Sequence, residues 1–106
     1  MKTITTLVLA LLVAGRAFAT ETSLHGTYGG SAEDLRTRFA DAMTLYFKRY
    51  DGLVDSDGVG HATYGHDPVT VTLAVVDERH YTLTVSAPKH DTRYTTKWAD
   101  ALRARL

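Results

Sequence analysis

The stretch VTVTLAVVDERHYTLTVSAP, Val69 to Pro88, is rich in valine and threonine and alternates with a period of two, the pattern of half-buried strands. Val69, Val71, Leu73 and Val75 share one face of a first strand, and Tyr81, Leu83 and Val85 share one face of a second. Both apolar sets must meet one core, and residues opposed in an antiparallel pair lie on the same face. A two-residue Asp77-Glu78 turn would set Val75 opposite His80 and send one apolar set outward. A three-residue turn, Asp77-Glu78-Arg79, instead sets Val75 opposite Tyr81, Leu73 opposite Leu83 and Val71 opposite Val85. Such turns favour glycine at their left-handed position, and this one has none.

Helical patterns flank the hairpin. Upstream, Ser31 can cap a helix and Asp34 stands three residues on, a variant of the capping box, with Glu33 and Asp34 suited to the positive helix end. Leu35, Phe39, Ala42, Met43, Tyr46 and Tyr50 recur at helical spacing, which predicts a helix from about 32 to 50, closed by Asp51-Gly52. Downstream, Pro88 ends the strand, and Asp91 or Thr92 can cap a last helix with a stripe of Tyr94, Trp98, Ala101, Leu102 and Leu106. Between the first helix and the hairpin lies a glycine-rich segment with a candidate strand near Val59 to Tyr64. A hairpin alone is marginal in water, so that third strand matters to stability. The expected fold is a small α+β two-layer sandwich, in which both helices cover one face of a short antiparallel sheet.

The opening MKTITTLVLALLVAGRAFATE reads as a secretory signal peptide: Lys2 is the n-region, Ile4 to Ala14 an apolar run broken by Thr5 and Thr6, and Ala17-Phe18-Ala19 an A-x-A cleavage signal. Gly15 and Arg16 end that run well short of the roughly 20 apolar residues that span a bilayer, so no membrane insertion is expected after cleavage. Residues 1–19 are thus the expected leader, 20–30 (TETSLHGTYGG) a flexible N-terminal arm without period, and 31–106 a single domain. The chain has no cysteine, so packing alone must hold the exported product, which is expected to be periplasmic or secreted. With Lys2 and Arg16 in the leader, the mature chain keeps 10 of its 12 basic residues against all 12 acidic ones, a formal net charge of −2. That balance, without a basic run, leaves no electrostatic footprint for nucleic acid.

The stretch DSDGVGHATYGHDP, Asp55 to Pro68, poses the question of a metal. With Gly58 at the sixth position of a calcium loop, Leu53 and Tyr64 fall where the first and twelfth positions require carboxylates, so that site is excluded. His61 and His66, with Asp55, Asp57 and His80, could supply imidazole and carboxylate to a transition metal if their rings converge. The plain reading is a solvated loop whose aspartates bond local amides. The polar face of the hairpin carries Thr70, Thr72, Thr82, Thr84 and Ser86, with Thr72 opposite Thr84 and Thr70 opposite Ser86. Two rungs are too few for an ice-binding array, and threonine is also an ordinary strand residue on a solvated face. A flat, weakly charged hydroxyl face can nevertheless dock a partner. Tyr46, Tyr50, Tyr94 and Trp98 suggest a sugar-stacking platform, but their helical spacing is that of core residues. No nucleophile elbow, zinc-protease helix or phosphate loop is present, so no catalytic residue is assigned. The sequence therefore points first to a small exported non-catalytic binding module of the cell envelope, without cofactor, whose hairpin face meets an envelope protein or surface ligand. The alternative is a metal-binding protein using the loop histidines and carboxylates, and a small hydrolase comes third.

Overall fold

A computed structural model describes residues 20–106. The leader expected over 1–19, with its cleavage site, lies outside the described residues. The elements are β1 (Glu21–Thr27), α1 (Ala32–Tyr46), a single 3-10 turn (Lys48–Tyr50), β2 (Leu53–Val54), β3 (Gly60–Tyr64), β4 (Asp67–Val75), β5 (His80–Ser86) and α2 (Thr92–Arg103). The strands form one five-stranded antiparallel sheet in the order β1-β5-β4-β3-β2. Both helices pack on one of its faces, as the apolar alternation requires.

The hairpin register follows from that alternation: Val75 opposes Tyr81, Leu73 opposes Leu83, and Val71 opposes Val85. Asp77-Glu78-Arg79 makes the turn; none of the three takes a positive φ, so no glycine is needed, and the Asp77 side chain closes it. Asp77 Oδ1 accepts hydrogen bonds from the Arg79 and His80 amides at 2.8 and 2.9 Å. Tyr28 Oη then donates to the Asp77 carbonyl at 2.8 Å, tying the turn to the end of β1.

The segment expected to be a flexible arm, 20–30, is instead mostly β1, paired with β5 along its whole length. Its apolar signal is one leucine: Leu24 continues the core row Leu73–Leu83, while Gly26 opposes Tyr81. The glycine is required there, because a Cβ at Gly26 would run into the Tyr81 ring. The lack of side chain that hides the strand from a periodicity argument is what lets Tyr81 lie flat across it.

Helix α1 begins as expected, with Ser31 and Asp34 completing the reciprocal capping box. It stops at Tyr46, earlier than the spacing predicts. Phe47 turns into the core, the Tyr50 amide bonds the Phe47 carbonyl, and Asp51 takes a left-handed conformation at φ 58°. In α2, capped by Asp91, the deepest residues are Thr95, Trp98, Ala99 and Leu102, while Tyr94, Ala101 and Leu106 are half-buried at the margin. The stripe is rotated from the expected one because α2 lies over β1, where Thr22 Oγ1 meets the fully buried Thr95 Oγ1 at 2.7 Å. Around these contacts Leu35, Phe39, Met43, Val71, Leu83 and Leu102 are buried completely or nearly so. Burying each such side chain contributes about 1.5–3 kcal/mol.

Candidate functional site

The sheet face opposite the helices is built by parity. On β4, Thr70, Thr72 and Ala74 point to it; on β5 so do His80, Thr82, Thr84 and Ser86; and on β1 Glu21, Ser23, His25 and Thr27. The register lines these up in transverse rows. Thr72 opposes Thr84, which opposes Ser23; Ala74 opposes Thr82, which opposes His25; Thr70 lies between His61 and Ser86, with Glu21 beyond. Ser23 Oγ and Thr84 Oγ1 are hydrogen-bonded at 2.9 Å, and His25 Nδ1 and Thr82 Oγ1 at 3.2 Å. All five hairpin residues singled out from the sequence, Thr70, Thr72, Thr82, Thr84 and Ser86, lie together on this face. Ser23, His25 and Glu21 extend it and were invisible to that reading, because they sit on the strand taken for an arm. Glu21 is the one Asp, Glu, Lys or Arg among the described strand residues on the face. The local hydrogen bonds hold side chains in place without consuming both acceptor lone pairs of each hydroxyl.

The five candidate metal ligands do not converge. Asp55 organises the β2–β3 turn: its Oδ1 accepts from the Asp57 and Val59 amides at 2.8 and 3.0 Å, and its Oδ2 lies 2.7 Å from His61 Nε2. The bond to His61, then the Val59 amide, hold the Asp55 carboxyl below its ordinary value. His66 occupies the β3–β4 turn, at the other end of β3. His80 is paired with Asp77 at 2.8 Å in the β4–β5 turn, where the Arg79 amide and then His80 lower the Asp77 carboxyl. Each pair is a local turn closure. Among the described residues, no group of three or more histidine or carboxylate side chains is placed to hold a metal ion.

The aromatic set divides in the same way. Trp98 is only 4% exposed and touches Phe47, Tyr64, His90 and Tyr94 with ring centroids 5.2 to 5.9 Å apart, so its faces are taken by core contacts. A shallow cleft of about 210 Å³ opens above it, bordered by Tyr46, Tyr50, Tyr64, Tyr94 and Lys97. Burial raises the Tyr46 phenol, partly offset by Arg105, whose guanidinium lies 5.2 Å from the ring centroid. The cleft is smaller than the roughly 300–1,000 Å³ of ordinary small-molecule sites. His25 and Thr82 form an imidazole–hydroxyl contact, but it lies on the open sheet. Among the described residues no carboxylate hydrogen-bonds the His25 ring, so the arrangement lacks the orienting third group of an activated nucleophile.

No family model, curated protein or solved structure matches the chain.

Proposed function

We propose that the protein is a small exported, non-catalytic binding module of the cell envelope, and that its open sheet face docks a protein partner. The observation that carries this reading is the row structure of that face. Hydroxyls of Thr70, Thr72, Thr82, Thr84, Ser86 and Ser23 stand in register across three strands, with no lysine or arginine among the strand residues facing outward there. Hydroxyls lose little on desolvation when a partner's polar groups replace water, and a rigid sheet spares most of the ordering cost of association. Export rests on the leader pattern of residues 1–19.

The test uses photo-crosslinking groups at Thr72 or Thr84 and, as control, at Thr44 on the exposed side of α1, in cells where the protein is exported. One discrete adduct from the sheet positions, absent from Thr44, is expected. Thr72→Lys with Thr84→Lys should abolish capture while leaving the melting transition in place. Equal adducts from both faces, or capture that survives both lysines, would refute the docking face. A chain that keeps residues 1–19 and stays in the cytoplasm would refute export.

A further inference from the structure

The two borders of the sheet are unlike. On one side the sheet ends in β2, two residues long; on the other it ends in β1, seven residues with a regular register, no proline, no lysine and no bulge. Soluble proteins usually blunt a long edge with such devices, because its outward amides and carbonyls are a template for another strand. Which groups point outward on β1 can be worked out. The Ala87 amide donates to the Thr20 carbonyl and the Tyr28 amide to the Arg79 carbonyl, both at 2.9 Å. Along an antiparallel ladder, bonding toward one neighbour alternates residue by residue. Thr22, Leu24 and Gly26 therefore direct their backbone groups to β5, and Glu21, Ser23, His25 and Thr27 direct theirs outward. Arg103 agrees with this parity: its Nη1 reaches the His25 carbonyl at 3.4 Å, a long contact made from outside the sheet.

We propose that this border pairs antiparallel with the β1 border of a second copy, about a two-fold axis at Leu24. Outward residues must oppose outward residues, which restricts the register to steps of two. Centring on Leu24 sets Ser23 opposite His25 of the second copy and Glu21 opposite Thr27, so all seven residues of both strands take part. A step one way would face His25 with itself. A step the other way would leave Thr27 beyond the partner strand. At the axis the half-buried Leu24 meets its own copy as a non-hydrogen-bonded pair, the closer of the two antiparallel pairings. The same strand thus opposes itself in a register that sets no like charges against each other, on the self-matching patch that a two-fold interface requires. A ring or filament does not follow, because the other border ends in the short β2. Two five-stranded sheets become one of ten, with both hydroxyl faces on the same side and the helices on the other. The inference rests on backbone parity and stands whether or not that face binds a partner. Arg103 acts as a weak latch, since its guanidinium must leave the His25 carbonyl before the second strand can seat.

The experiment is sedimentation equilibrium of the processed chain across a concentration series, paired with amide hydrogen exchange. A monomer–dimer equilibrium is expected, with the Ser23 and His25 amides gaining protection as the dimer fills. Ser23→Pro removes an outward N–H and no backbone bond to β5, giving up only the exposed Ser23–Thr84 hydroxyl contact, so it should melt cooperatively yet weaken dimerisation about tenfold or more. Arg103→Ala should tighten it. A chain that stays monomeric at millimolar concentration overturns the proposal, as does a dimer indifferent to both substitutions. So does protection at Ser23 and His25 that needs a different polypeptide. If Ser23→Pro does not fold, the concentration dependence of exchange in the unsubstituted protein decides: protection that does not change with concentration overturns the proposal.

Discussion

The β3–β4 turn offers a direct test of the register, through His66→Gly. Tyr64 opposes Asp67, and the two residues between them both have positive φ, 59° at Gly65 and 72° at His66. That is the signature of the two-residue type I′ hairpin, whose second central position favours glycine. A side chain in the left-handed region costs about 1–2 kcal/mol, and histidine, better tolerated there than most, falls at the low end. Glycine relieves that strain but returns roughly half of it through the greater freedom of the unfolded chain. A net gain of about 0.5 kcal/mol is expected, and in a domain of this size it should raise the melting midpoint by about 2–4 °C. His66→Val, β-branched and poorly suited to positive φ, should be less stable than the parent by about 1 kcal/mol or more. Urea and thermal melts followed by Trp98 fluorescence and circular dichroism would measure the series, with the urea slope unchanged if only native-state strain differs. A His66→Gly chain less stable than the parent, or a His66→Val chain equal to it, would refute the turn and the strand register behind it. The outcome also bears on the metal alternative, because removal of one of its two loop imidazoles is here expected to stabilise the protein.

The other predictions concern close packing and titration. Gly26→Ala should cost about 1–3 kcal/mol, because the new methyl group and the Tyr81 ring compete for one place; Gly26→Ala combined with Tyr81→Leu should recover part of the loss in a double-mutant cycle, and strict additivity would contradict the contact. Asp55 and Asp77 have carboxyl groups held below the ordinary value of 3.8, so each favours the native state above its unfolded-state pKa and loses that contribution as pH falls through the lower native value. Asp55→Asn should therefore lower the melting midpoint at neutral pH, with the gap from the parent closing toward pH 2. A gap independent of pH would assign the loss to turn geometry and not to the charge.

Much of this architecture was legible in the chain. The hairpin register followed from Val71, Leu73, Val75, Tyr81, Leu83 and Val85, because a sheet with one buried face allows a single parity. Ser31 with Asp34 announced the first helix, and Asp91 or Thr92 the second, where the structure uses Asp91; such side chains bond amides only a few residues away. The hydroxyl rows on the open face came with the register, so Thr72 opposite Thr84 needed no further information. Strand β1 was not legible. Its apolar signal is Leu24 alone, and the fit of Gly26 depends on Tyr81, more than fifty residues away in sequence. The helix faces were only partly readable for the same reason: Thr95 is buried because Thr22 supplies its hydrogen bond, and Thr22 belongs to that strand. Nor could spacing say where the histidines go, since His61 and His80 turn to the nearby Asp55 and Asp77 while His66 sits at the opposite end of β3. By itself, then, the sequence determined what short-range stereochemistry and period-two alternation control: the central hairpin, the helix starts and the polarity of one sheet face. The tertiary structure decided the edge strand, the depth of each helix residue and the parity of the outward amides, because those depend on contacts between segments that no local pattern encodes.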